Sequence, residues 1–91
     1  MVFGTGPNAA QPLVEHRDTK LVSFTGSTYV GKLISNLCGR DLKKVSLELG
    51  GKNAAVVFGD ADIEKAAKTT AISSFANQGE VCLCTERVSS F

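Results

Sequence analysis

Ninety-one residues, 43% hydrophobic and 21% charged, form an ordinary globular domain or part of one, which excludes disordered and collagen-like chains. Ten Lys and Arg against nine Asp and Glu leave a formal charge of +1, with no basic footprint for a nucleic acid. No apolar run approaches the roughly 20 residues that span a bilayer, no signal-peptide pattern opens the chain, and three cysteines fit a reducing compartment such as the cytoplasm better than a disulfide scaffold.

In chain order, Val2-Phe3 runs into a glycine turn, Gly4-Thr5-Gly6-Pro7. Asn8 is placed to cap a short helix through about His16, with Pro12 near its first turn, where a backbone N–H has no helical partner. Leu21-Val22-Ser23-Phe24 reads as a strand ending at Thr25-Gly26-Ser27. Ser27 then caps a helix whose Val30, Leu33, Ile34 and Leu37 recur at helical spacing, and Gly39 is positioned to end it in a left-handed cap. From Val45 to Leu49 the chain alternates, with Val45, Leu47 and Leu49 on one face and Ser46 and Glu48 on the other, until Gly50-Gly51 stops it.

The continuous apolar run Ala54–Phe58 predicts a strand buried on both faces. Gly59-Asp60-Ala61-Asp62 opens a long helix, its acidic residues favourable beside the positive helix end. That helix presents Ile63, Ala66, Ala67, Thr70, Ala71 and Ser74 on one face, runs to about Ala76 and has Gly79 as its expected terminator. Strands alternating with helices predict an α/β fold with a parallel sheet.

Three features carry potential chemistry. Gly26-Ser27-Thr28-Tyr29-Val30-Gly31, at a strand-to-helix turn, is either a phosphate site, with free N–H groups at a positive helix end, or an ordinary capped turn. Gly4-Thr5-Gly6 is a second glycine turn in the same style. Glu48, followed by two glycines, is either a general base held beside apolar neighbours or a solvated strand-end carboxylate. Cys82, in the turn after the long helix, is either an exposed nucleophile or an inert core thiol. Cys82, Cys84, Cys38 and His16 lack the paired spacing of a zinc site, and His16, the only histidine, reads as a surface residue.

Together these residues resemble the aldehyde dehydrogenase superfamily. Four segments carry the likeness in order: Phe24-Thr25-Gly26-Ser27-Thr28 with Gly31, Leu47-Glu48-Leu49-Gly50-Gly51-Lys52-Asn53, Asp60-Ala61-Asp62, and Phe75-Ala76-Asn77-Gln78-Gly79-Glu80-Val81-Cys82. Cys82 stands 34 positions after Glu48, as in that family. The stretch Ser73–Cys84 is most similar to the 2-aminomuconate and hydroxymuconate semialdehyde dehydrogenases.

The resemblance implies that 1–49 is the C-terminal part of a Rossmann-like NAD(P)-binding domain and that 50–91 begins the catalytic domain with its nucleophile loop. It implies that Cys82 attacks an aldehyde carbonyl and that Glu48 activates water to hydrolyse the resulting thioester, which favours hydrolysis over acylation of coenzyme A. The backbone N–H of Cys82 would contribute to the oxyanion hole. Gly26, Ser27 and Val30 match positions at the pyrophosphate of NAD, Gly31 completes that turn, Leu49 lies near the nicotinamide and Gly6 near the adenosine half. NADP stays open as the cofactor, because the residues that discriminate it lie upstream in the family.

Cys84 reads as a neighbour of the nucleophile. Ala10 stands where the family usually has glycine, and Arg17 where it commonly has proline after His16. The family's chains are several times longer, supplying the adenine-ribose contacts and an oxyanion-hole asparagine upstream and the oligomerisation strands downstream. The whole enzyme is therefore expected to act on a small aldehyde as a soluble cytoplasmic homo-oligomer, with no nucleic-acid or membrane partner. Two other classes stay open for the 91 residues themselves: an inactive truncated chain that pairs with full-length subunits, and a cofactor-independent cysteine acyl transferase.

Overall fold

The computed structural model describes all 91 residues, which fold as two units, Met1–Gly50 and Gly51–Phe91. The first begins with a wide π-helical turn over Gly6–Ala10 that leads into helix α1, Gln11–Glu15. Asn8 is not the cap expected of it. Thr5 holds that position, and its carbonyl accepts from the N–H groups of Asn8 and Ala9 at 3.2 and 2.9 Å. Pro12 accounts for the widened turn: it has no N–H to give Asn8, and its ring crowds that carbonyl, so the N–H of Gln11 reaches back to Gly6.

Strand β1 (Leu21–Gly26), helix α2 (Thr28–Arg40) and strand β2 (Lys44–Leu49) form a βαβ unit. The strands pair in parallel, Val22 opposite Val45, Phe24 opposite Leu47 and Gly26 opposite Leu49. Burial alternates along β2 as the sequence pattern requires, with Val45, Leu47 and Leu49 half-buried and Ser46 and Glu48 exposed. Val14 of α1 and Leu37 and Cys38 of α2 make the core, and Val22, Ile34 and Val45 pack against it.

Helix α2 begins as predicted: the Ser27 side chain accepts from the N–H of Val30 at 3.3 Å. Its end differs. Gly39 lies inside the helix, and the left-handed position falls to Leu42, with φ 51°. The N–H of Lys43 bonds Cys38 O at 3.0 Å and that of Leu42 reaches Gly39 O at 3.4 Å, the two bonds of a Schellman motif. The motif's geometry assigns the left-handed backbone two residues past the last helical one, whichever side chain stands there.

The second unit is another βαβ arrangement, strand β3 (Asn53–Val57), helix α3 (Ile63–Phe75) and strand β4 (Thr85–Ser90). β3 and β4 are parallel neighbours, with a register shift between Asn53 and Ala54 that leaves Glu86 out of the ladder. The α/β class and parallel pairing hold, as two sheets of two strands each. The burial expected for Ala54–Phe58 does not. β3 begins at Asn53 and stops at Val57, its burial alternates, and Val56 and Phe58 are 52% and 64% exposed. The two-stranded sheet has one helix to cover a single face, so the apolar residues of the other face meet solvent.

Asp62 caps α3, its carboxylate accepting from Lys65 N–H at 3.0 Å. The helix closes at Phe75, four residues before Gly79. A tight turn, Ala76–Gly79, follows, in which Asn77, Gln78 and Gly79 all have left-handed φ, at 47°, 59° and 80°. Three such residues in a row reverse the screw sense of the chain, so termination begins ahead of the glycine. Strand β4 has no counterpart among the elements read from the sequence.

Candidate functional site

Cys82 lies on the loop between the left-handed turn and β4. A β-turn closes there, with the N–H of Cys84 bonding Val81 O at 2.9 Å, so Cys82 and Leu83 are its two central residues. Cys82 is exposed and its N–H has no backbone acceptor. Cys84, two residues on, is 4% exposed, and its Sγ lies 3.5 Å from the carbonyl of Ala76. The turn thus presents one thiol outward and packs the other inside. Asn53, at the start of β3, donates through Nδ2 to the carbonyls of Cys82 and Cys84. Behind the loop, Lys52 pairs with Glu86 at 2.6 Å, and the hydroxyls of Ser73 and Thr85 bond at 2.6 Å.

Glu48 belongs to the first unit and Cys82 to the second. Glu48 is exposed near the end of β2, so its own strand does not enclose it in the apolar surroundings considered for a base. Leu49, on the opposite face, points at α2. A Cβ added to Gly31 would stand 2.6 Å from Leu49 Cδ2 and 2.9 Å from its Cδ1. Gly31 is buried beneath that side chain, so its lack of a Cβ serves the contact between α2 and β2.

The other expected cofactor residues gather on the same unit. Gly26 ends β1 under the Phe24 ring, Ser27 caps α2, and the N–H groups of Thr28 and Tyr29 open the helix without backbone partners. Gly6 and Val30 line one cavity of about 350 Å³, together with Ala10, Phe24, Leu33 and Ile34. A mostly apolar slot of this volume beside a free helix N-terminus suits a ring-bearing phosphate ester. A Cβ on Gly6 would meet nothing within 4 Å, so the cavity mouth is open there.

His16 is exposed, its Nδ1 accepting from the N–H of Asp18 at 3.3 Å. No cluster of three or more His, Cys, Asp or Glu is placed to hold a metal ion, and no helix is long and apolar enough to cross a membrane. Sequence reasoning missed the hydrogen bonds of Asn53. The available signal was a polar amide opening an otherwise apolar strand, directly after the paired glycines.

The family model described as the aldehyde dehydrogenase family matches residues 1–89. The chain belongs to this family. The 2-aminomuconic semialdehyde dehydrogenase of Danio rerio is 57% identical over 88 residues, covering 97% of this chain and 18% of its own. The 2-hydroxymuconic semialdehyde dehydrogenase of Pseudomonas putida is 50% identical over 86 residues, covering 94% and 18%. In the solved structures, the NAD+ complex of aldehyde dehydrogenase from Bacillus cereus matches with a TM-score of 0.89 at 39% identity, over 96% of this chain and 18% of that one. The chain therefore spans 18% of the length of these aldehyde dehydrogenases.

Proposed function

We propose that this chain is the cofactor-to-nucleophile segment of an NAD(P)-dependent aldehyde dehydrogenase that oxidises an aldehyde, of the semialdehyde kind, to its acid. In this reading 1–49 closes the cofactor domain and 50–91 opens the catalytic domain. The observation that carries it is the exposed Cys82 at the centre of a β-turn, its N–H free, beside a buried Cys84. Family membership supplies the reaction class.

The apolar cavity at Gly6 and Val30 and the N-terminus of α2 at Ser27 fit the adenosine and pyrophosphate portions of a nicotinamide dinucleotide. Gly26 and Gly31 keep the strand-to-helix turn close to β2, and Leu49 is the side chain assigned to the nicotinamide end. Ala10 narrows the cavity by one methyl where the family usually has glycine. When bound, the dinucleotide supplies the two-electron acceptor for the oxidation. NAD is the favoured form, given the NAD+-bound neighbour.

Cys82 supplies the thiolate that adds to the aldehyde carbonyl carbon. The Cys82 N–H stabilises the oxyanion, a fixed donor being worth about 3–4 kcal/mol in such sites. Glu48 takes a proton from water as that water attacks the thioester, releasing the acid and restoring the thiolate. The complete enzyme is assigned to a reducing cytoplasmic setting as a homo-oligomer without nucleic-acid or membrane partners.

The test is NAD-dependent turnover of a muconic-type semialdehyde by the protein. Cys82→Ala abolishes it, while Glu48→Gln gives a single-equivalent burst of NADH and a trapped acyl-enzyme. Full turnover by Cys82→Ala would refute the assignment. A second reading, an inactive truncated chain, is favoured for the 91 residues in isolation by sixteen large apolar side chains left exposed, among them Phe58, Phe75 and Leu83. NADH formation by the isolated 91 residues would exclude it.

A further inference from the structure

The side-chain amide of Asn53 carries two hydrogens and directs both into one turn. Its Nδ2 lies 2.6 Å from the carbonyl oxygen of Cys82 and 3.1 Å from that of Cys84. From the first position of β3 it therefore reaches 29 and 31 residues along the chain, to the carbonyls of the residues on either side of Leu83. The turn already has its own closing bond, from Cys84 N–H to Val81 O. That bond leaves one freedom untouched. It holds the turn's own shape and leaves the turn as a whole free to move against β3.

Asn53 removes that freedom. A donor 2.6 Å from Cys82 O ties the centre of the turn to the first residue of β3. The bond to Cys84 O fastens the exit of the turn to β3, where Lys52–Glu86 ties down the adjoining residues. Cys82 and Cys84 differ sharply in exposure while only two residues apart, and anchoring the turn at both carbonyls holds that difference.

We propose that Asn53 is a positioning residue for Cys82: its two hydrogen bonds anchor the β-turn to β3 in the placement that presents the Cys82 thiol outward. The inference rests on Cys82 being the nucleophile of the proposed reaction. Asn53 touches the loop by backbone carbonyls alone, so its effect is on presentation of the thiol and not on cofactor affinity.

The experiment compares wild type with Asn53→Asp, which keeps the shape and removes both donors, Asn53→Ala, and Asn53→Ser, which keeps one donor. Four quantities are read in the protein: kcat and KM for NAD with an aldehyde, thermal midpoint, and the rate of Cys82 alkylation by iodoacetamide across pH, followed by mass spectrometry. The expected result is a kcat lower by about tenfold or more in Asn53→Asp and Asn53→Ala, with KM for NAD within about twofold, since small misplacement of a reacting group is costly. The pH–rate curve for Cys82 alkylation changes shape in both, and Asn53→Ser falls between them and wild type.

If Asn53→Asp and Asn53→Ser both keep kcat and Cys82 alkylation within about twofold of wild type, the proposal is overturned. It is equally overturned if activity falls only in step with the unfolded fraction while the alkylation curve of the folded protein is unchanged. A wild type that forms no NADH from any aldehyde sinks the dehydrogenase reading instead, and the alkylation comparison then decides the role of Asn53 by itself.

Discussion

Lys43 has an unusual assignment for a lysine. Its side chain is 3% exposed, and Nζ lies 2.6 Å from Val14 O and 2.9 Å from His16 O, both at the C-terminal end of α1. It therefore caps the last carbonyls of α1 from the entry to β2 and complements the negative helix end. Lys43→Met keeps the apolar stem and removes the ammonium. Hydrogen bonds to a charged donor contribute about 1.5–3 kcal/mol each, and partial rehydration of the freed carbonyls returns some of that. A net loss of about 2–4 kcal/mol is expected. The exposed Asp41 carboxylate, 3.6 Å away and 58% accessible, provides the internal comparison. Asp41→Asn removes only a solvated ion pair and should cost about 0–1 kcal/mol. The assay is urea unfolding followed by far-ultraviolet circular dichroism, with amide exchange of Gln11–Glu15 as the local readout. Equal effects of the two substitutions, or a Lys43→Met loss below about 0.5 kcal/mol, would refute the claim that the carbonyl bonds dominate.

Three further outcomes follow from the end of α2 and the cysteine geometry. Leu42 is 92% exposed in a left-handed conformation that costs a non-glycine residue about 1–2 kcal/mol, so Leu42→Gly should stabilise by about 0.5–1 kcal/mol after the entropy of glycine is counted, measured by the same urea titration. A methyl group added at Gly39 would meet nothing within 4 Å, and the backbone there is helical, so Gly39→Ala should add a similar amount, whereas a glycine acting as the cap would make it destabilising. Brief iodoacetamide treatment of the folded protein should label Cys82 well before Cys38 and Cys84, which are 0% and 4% exposed, and equal labelling of all three on mass spectrometry would contradict the packing.

Legibility in the sequence tracked the distance over which each feature is decided. The cap at Ser27, the start of α3 at Asp62 and the alternation of β2 depend on residues within four positions of one another, and they were readable. Strand β4 was not. Thr85-Glu86-Arg87-Val88-Ser89-Ser90 is nearly all exposed, carries no apolar alternation, and is a strand only because β3 pairs with it from more than 30 residues away. The exposed second face of β3 depends on how many layers cover it, which a five-residue run does not encode. The end of α2 moved from Gly39 to Leu42 because the Schellman bonds outweigh the preference of one residue type. At the candidate site, residue identities at Glu48, Cys82 and the glycine turn were legible as a family pattern. The support under Cys82 was not, because the acceptors of Asn53 lie 29 and 31 positions ahead of it.

The parallel pairing of β3 with β4 also sets an order of events during synthesis. Cys82 leaves the ribosome after β3 and α3 but before the strand that completes its platform, since the Cys84 carbonyl and the β4 ladder follow it. At about 5–20 residues per second, the stretch from Cys82 to Ser90 takes on the order of a second to emerge. For that interval the nascent chain bears a thiol whose turn lacks the second Asn53 bond and the β4 ladder. Disulfide formation takes seconds to hours depending on oxidant and isomerase, so the platform is delivered near the fast edge of that range. Translational pausing within these codons would lengthen the exposure, and a slow cluster there should raise the oxidised fraction at Cys82 in newly made protein.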